Sequence, residues 1–375
     1  MASAQKSVSV IDIDKQKSNK GSLKMSDIFS NIKYIPLQIN AKYPIGNIHD
    51  ISITSEWIFI DCRTTEGQSF LKYSLKGEFV ENIGSRGQGP GEYLDGSKMA
   101  VDMTNKLMYI RANYINSVLV YDYAKNKYLR SFKVENEDRG IQLLNQNQLW
   151  FDGDYLHRYT PSYYSWRVMD KNGKVIKKQN SHYFTKDQIN KKPKGGYAPN
   201  TVIWKHDNGF SYMEVQTDTI YQMDMNMNSY PRFQLNFSAL QQQRGNCYLF
   251  ETSKHVIIRT YNLDTKVLND GYYDKTRQSY FSYQPETIPD KPYNFVGITN
   301  DLDGGYPFPI FTCIYFDDNQ WYASLLPHKL IEYVNSNEFK KSKAVSPALK
   351  EAFRKMVNSL DEEDDPVIVI ATLKK

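Results

Sequence analysis

Cysteine is scarce in this chain of 375 residues: Cys62, Cys247 and Cys313 lie far apart and are odd in number. Neither a disulfide framework nor a paired-cysteine zinc site can be built from them, and buried free thiols are the plain expectation. Long apolar runs are missing as well. The longest, VIVIA at 367–371, is strand-sized, far short of the roughly 20 residues a membrane helix needs. No apolar segment follows Met1, so no export signal is read here, and residues 1–25 have the polar, Lys-rich profile of a flexible leader. Charge of one sign is not concentrated either. A net +5 is spread along the sequence, which gives no basic surface of the kind nucleic acid requires. No nucleic-acid partner is expected.

Motifs for common chemistries are equally thin. No GxSxG elbow occurs, and His49, His157, His182, His206, His255 and His328 show no HxH, HxxxH or HExxH pairing. The glycine-rich stretch IGSRGQGPGEY at 83–93 invites a phosphate-loop reading, which its residues exclude. A Walker loop needs Lys after its last glycine, and Gly89 is followed by Pro90. Pro90 also deletes a backbone N–H that would hold phosphate.

What the sequence has in quantity is tyrosine, 29 residues, with Thr, Gly and Pro scattered between, a balance that favours strands and turns. Self-comparison shows a repeated hairpin: FLKYSLKGEFVENIG at 70–84, VLVYDYAKNKYLRSF at 118–132 and SWRVMDKNGKVIKKQ at 165–179. Their turns fall at Lys76-Gly77, Lys125-Asn126 and Asn172-Gly173. Looser copies follow at 218–235, 270–283 and 319–325. Anchored on Tyr73, Tyr121, Met169, Tyr221, Tyr273 and Tyr322, the spacings are 48, 48, 52, 52 and 49. Further strand-like stretches precede the hairpins. Four short strands per period of about 50 residues describe a propeller blade.

Six periods therefore predict an all-β, six-bladed β-propeller over 26–375. IKYIPLQI at 32–39 and PVIVIATL at 366–373 supply the terminal strands that close the ring. A helical insertion is expected at about 326–360 in the last blade. Residues 326–341 read as one helix, with Leu330, Tyr333, Val334 and Asn337 at helical spacing. In the second helix, 346–360, Ser346 can cap and Leu349, Phe353, Met356 and Leu360 form the core stripe. On this plan 83–93 is an inter-blade connection, in which Arg86 and Glu92 either pair locally or, with Tyr93, face a ligand.

The stretch IGSRGQGPGEY resembles the signature loop of six-bladed propellers found largely as exported or lipid-anchored proteins of Bacteroides-like bacteria. SDIFSNIKYIPLQ at 26–38, DTIYQM at 218–223, NDLDGGYPFP at 300–309 and DDPVIVIATLK at 364–374 are similar to further segments of that family. The resemblance spans about 26–374. It implies the fold and a location in the periplasm or at the outer-membrane surface, with any lipid anchor carried by a full-length precursor. It carries over no catalytic residues.

Two site readings follow. In the first, a non-catalytic propeller holds a glycan, peptide or envelope-protein partner on one ring face or in its axial funnel. Arg86, Glu92, Tyr93, Tyr163, Tyr164 and Trp166 are the candidate contacts, because aromatic rings stack on sugars and peptides. In the second, Asn300, Asp301 and Asp303 supply oxygen ligands to Ca²⁺ in a metal-dependent hydrolase or lactonase. An Asp-Gly loop is also an ordinary turn. A structural scaffold in an envelope assembly is the third reading. No cofactor is expected under the first and third; calcium is the one the second would take.

Overall fold

The structure, a computed structural model, describes residues 8–374 except 95, 97, 137, 139, 154–163, 181–201, 207–208, 215–216, 242–244, 263–264, 266–267, 284–296, 310–314 and 317–318. Its strands form six antiparallel blades. Blade 1 takes Asn47–Ile53, Trp57–Thr64, Gly67–Ser74 and Phe79–Asn82. Blade 2 takes Lys98–Asp102, Leu107–Ala112, Ser117–Asp122 and Lys127–Lys133. Blade 3 takes Gln142–Asn145, Gln148–Asp152, Tyr164–Asp170 and Val175–Asn180. Val202–His206, Gly209–Met213, Thr219–Met223 and Ser229–Asn236 form blade 4. Gly245–Glu251, His255–Asn262, Leu268–Asp274 and Ser279–Tyr283 form blade 5.

Blade 6 joins the two ends of the chain. Phe29–Pro36 pairs with Val367–Leu373, which pairs in turn with Gln320–Leu325 and then Tyr315–Phe316. The expected closure by terminal strands is present, and the ring is a six-bladed β-propeller. Contacts divide the chain into two compact units. One contains blades 6, 1 and 2 and the helices of the insertion; the other contains blades 4 and 5 and most of blade 3.

Within blades 6, 1 and 2, alternation on each strand feeds two cores. Ile58, Ile60 and Cys62 on one side of blade 1 pack with Tyr322, Ile368 and Ile370 of blade 6. Phe59 and Phe70, one residue out of phase, pack with Met99, Met108 and Ile110 of blade 2. Middle strands thus bury both faces and read as near-continuous apolar runs. The outer strand Lys127–Lys133 instead alternates half-buried and exposed residues.

Four details differ from the sequence reading. Within the stretch expected as a flexible leader, Ser9–Asp12 adds a fifth, parallel strand to blade 4, burying Ile11 and Ile13. Asp12 and Asp14 tie it down by accepting from Asn236 and from the Ser238 backbone N–H. The Lys-rich composition conceals this short apolar strip. Second, Tyr73, Tyr121, Met169, Tyr221 and Tyr273 all lie on the third strand of their blades, whereas Tyr322 lies on the second strand of blade 6. The insertion separates that strand from its successor, so the sixth period matched a different position. Third, the single helix expected at 326–341 is two, Pro327–Asn335 and Asn337–Lys341. Ser336 is extended and its Oγ accepts from the Phe339 N–H, a local bond that starts a new helix. Fourth, the helix Pro347–Val357 buries Phe353 and Val357 while Leu349 is exposed and Met356 and Leu360 are half-buried, and Ser346 makes no side-chain cap.

Candidate functional site

The glycine-rich connection lies between the outer strand of blade 1 and the inner strand of blade 2, as its position in the repeat predicts. Ser85–Arg86 pairs in parallel with Glu92–Tyr93. Tyr93 is buried edge-on against Phe70; its hydroxyl donates to the Ile83 carbonyl at 3.0 Å and accepts from Asn82 Nδ2 at 3.2 Å. The Tyr121 hydroxyl donates to the Gly91 carbonyl, and Asn126 Nδ2 donates to the Asn82 carbonyl at 2.8 Å. Glu92 accepts from the Gly89 N–H at 2.7 Å, and Arg86 donates to the Glu66 carbonyl. The three side chains fasten the loop. Gly91 has φ +80°, and a Cβ there would lie 2.6 Å from the Tyr128 ring, which is itself edge-packed on Tyr121. Gly91→Ala is expected to destabilise the chain by roughly 2–4 kcal/mol, from left-handed strain plus overpacking, measured by urea denaturation.

The aromatic candidates on blade 3 are also interior. Tyr164 and Trp166 are buried: the Tyr164 hydroxyl donates to Asp138, which Arg167 also holds, and Trp166 packs edge-on against Tyr212 of blade 4. Tyr163 lies outside the described residues.

Asn300, Asp301 and Asp303 do not converge as a set. Asp301 accepts from the Ser26 backbone N–H at 2.9 Å and the Ser26 hydroxyl at 2.6 Å. Asn300 and Asp303 turn instead to the Tyr34 hydroxyl, and Asp303 also accepts from the Gly305 N–H at 2.8 Å. Burial, and the Asp303 charge after it, raise the Tyr34 phenol. The next residues receive the insertion: Ser342 Oγ and the Tyr333 hydroxyl both donate to the Gly304 carbonyl. Among the described residues no three His, Cys, Asp or Glu side chains are placed to hold a metal. EDTA-stripped protein is expected to melt at the same temperature with and without millimolar calcium. A rise of several degrees would establish a tight site.

The polar cluster that packing does not explain lies on blade 1. The register of its two inner strands shifts between Ile48 and Asp50, leaving His49 as the extra residue of a bulge. Asp50 stands directly opposite Asp61, the last pair in the register that runs back from Ile53–Ile58 before the shift. Opposed residues of an antiparallel ladder have Cα atoms about 4.5–5.5 Å apart and share one face. That face carries Phe59 and Phe70 toward blade 2. Asp61 is fully buried and Asp50 half-buried. Gln68 Nε2 donates to Asp61 Oδ1 at 2.5 Å, whereas buried Asp61 Oδ2 has no hydrogen-bond partner among the described residues.

Burial drives the protonation of both groups. It raises Asp50 to about 6, opposed by the charge of Lys98 and the Ile51 N–H. Burial raises Asp61 to about 7, opposed by Gln68 and Lys98 and reinforced by Asp50. The pair titrates as a coupled unit that shares protons near neutrality. Burial, then the charges of Lys98 and Arg63, hold the His49 imidazole below its ordinary value. One end of blade 1, where Asn47 faces Arg63 across the ladder, thus gathers carboxylates, an imidazole and two cations.

The sequence reading missed this pair. Its one signal is an aspartate ending the apolar run IFID at 58–61; its partner depends on the register of the facing strand, which composition does not reveal.

Strand order and closure place the chain in the class of six-bladed β-propellers, with a buried acid pair at the open end of one blade as its distinguishing site. Its sequence matches, over residues 8–372, the family described as a domain of unknown function, DUF4934, and the chain belongs to that family. Among solved structures, a Bacteroides fragilis protein described as exported is similar at 17% identity and a TM-score of 0.66, covering 98% of this chain and 100% of its own. At that identity the likeness establishes the fold. A member of the DUF4221 family from Bacteroides vulgatus is 9% identical with a TM-score of 0.48, covering 92% and 97%. No curated protein matches the chain. Among the described residues no helix is long and apolar enough to cross a membrane.

Proposed function

We propose that this chain is a non-catalytic binding propeller of the bacterial cell envelope, which receives a glycan, peptide or protein partner at the end of blade 1 where Asp50, Asp61, Arg63 and Lys98 gather. The observation that carries the reading is the unpartnered Asp61 oxygen, buried opposite a second carboxylate. A buried acceptor without a donor weakens a fold by about 1–3 kcal/mol, and two opposed acids add repulsion. Other buried acids of the chain are paired with cations, Asp270 with Arg259 and Glu251 with Arg232 and Lys275. Two opposed acids with a buried, unsatisfied oxygen oppose folding, and such an arrangement fits a site kept for a ligand. The envelope location draws support from the resemblance to exported propellers and from the Bacteroides fragilis relative described as exported.

Two experiments test the proposal. Fractionation and protease accessibility of cells carrying the full-length gene should find the chain in the envelope; recovery in the cytoplasm would contradict that part. Native mass spectrometry after incubation with solubilised envelope glycans and peptides should show a component retained by the wild type and lost from Asp50→Ala/Lys98→Ala. Equal retention by both, or none by either, would overturn the assigned site.

A further inference from the structure

Resting on that reading, we infer that the ligand is a neutral saccharide, that Asp50 is the carboxylate its hydroxyls meet, and that Asp61 is the positioning partner behind it. Several independent features of the cluster favour hydroxyl groups over other ligand chemistries.

Complementarity comes first. A saccharide hydroxyl both donates and accepts, so a site for it needs acceptors beside donors. Asp50 supplies the half-buried acceptor, while Lys98 brings a donor to the same end of the blade. Charge balance comes second. Two carboxylates beside the Lys98 ammonium put both signs at the site, so neither a phosphate nor a polyamine meets a field of one sign. Topology comes third. An extended peptide binds most readily by adding a strand to an open sheet edge. The inner strand Asn47–Ile53 is the edge of its sheet, but it lies beside the inner strands Tyr315–Phe316 and Lys98–Asp102 of the neighbouring blades. That edge is closed to strand addition, and the exposed end of the ladder is left for side-chain recognition.

The second acid gives the site its pH behaviour. Hydroxyls donate to an ionised carboxylate, so ligand and proton compete for Asp50. Groups around the pair are His49 on the same strand, Arg63 and, on the opposite face, Cys62 on the second, Gln68 on the third and Lys98 on blade 2. Of these, the His49 imidazole is held below its ordinary value by burial and by the charges of Lys98 and Arg63, and burial raises the Cys62 thiol to about 12. The pair itself is the titrating unit, and affinity should fall as pH drops through about 6.

The test is isothermal calorimetry on the intact chain with maltohexaose, cellohexaose, xylohexaose and mannohexaose. Tri-galacturonate and an unstructured lysine-rich peptide serve as charged comparators. The expected result is binding of at least one neutral hexasaccharide, about tenfold weaker at pH 5 than at pH 7.5. In Asp50→Asn the affinity at pH 7.5 should drop at least tenfold and lose its pH dependence. Lys98→Met, which leaves the acid pair in place, should weaken binding yet retain the pH dependence; wild-type-like melting shows that each variant is folded. Neutral-saccharide binding that is flat with pH and unchanged in Asp50→Asn would overturn the inference while leaving a binding propeller intact. Binding of a comparator alone, lost in Asp50→Asn, would overturn the saccharide class but not the site. Failure of every probe on the wild type would overturn the inference, and the envelope-retention experiment then decides the broader reading independently.

Discussion

Asp61→Asn should make the protein more stable at pH 8 and no more stable at pH 4.5. Burial raises Asp61 from 3.8 to about 7, so the folded chain holds a proton that the unfolded chain has released. Between about pH 4 and pH 7 the folded state therefore binds more protons. Stability falls as pH rises through this window, and the full penalty is present above it. About three pKa units correspond to roughly 4 kcal/mol, an upper figure because Asp50 shares the titration. Asparagine removes the charge but keeps an oxygen for the Gln68 amide. Its net gain at pH 8 should be on the order of 2–4 kcal/mol, or about 3–5 °C in melting temperature for a chain of this size. Parallel melting curves for wild type and variant across pH 4.5–8 would contradict the assignment.

Asp270→Asn should act in the opposite direction. Arg259 and Asp270 stand opposite one another on the middle strands of blade 5 and are both nearly fully buried. Nε and Nη2 of Arg259 donate to the two Asp270 oxygens, each at 2.6 Å. The bidentate bond satisfies a charge that the interior would otherwise expel. Removing the carboxylate leaves the guanidinium in low dielectric and should destabilise the fold by about 3–5 kcal/mol. Arg259→Met/Asp270→Leu should recover most of that loss, because an apolar pair of similar volume carries no desolvation penalty. Urea denaturation of single and double variants measures both; a single variant within about 1 kcal/mol of wild type would show the pair to be dispensable.

The contrast between these two aspartates explains what the sequence could and could not disclose. Blade architecture depends on local signals that recur: turns such as Lys76-Gly77 and Asn172-Gly173, and apolar strands on a period near 50 residues. Both glycines take positive φ in the structure, as their turns require. Closing strands were legible for the same reason, since each is a self-contained apolar run. The strip Ser9–Asp12 was not, because its few apolar residues gain meaning only beside the outer strand of blade 4.

Site residues demand more than local signals. Tyr93, Tyr164 and Trp166 looked like ligand-facing aromatics because a sequence does not say whether a ring stands at a loop tip or between sheets. All three are buried, and two use their hydroxyls to hold backbone or a buried acid. Asp50 and Asp61 are 11 positions apart and meet in the register that the hairpin sets from Ile53–Ile58, just before the ladder bulges at His49. Had the hairpin closed one residue out of this register, Asp50 would face the opposite side of the sheet from Asp61. A pairing that depends on the exact register of two facing strands lies beyond periodicity and composition.

The most direct measurement is a carboxyl-carbon NMR titration of the intact chain labelled with ¹³C-aspartate, with Asp50→Asn and Asp61→Asn providing the assignments. The account predicts two coupled resonances with midpoints near pH 6 and 7, each shifted when the other residue is replaced. Midpoints below about pH 4.5 for both, unaffected by the partner substitution, would show two ordinary solvated carboxylates and contradict the acid pair on which the site rests.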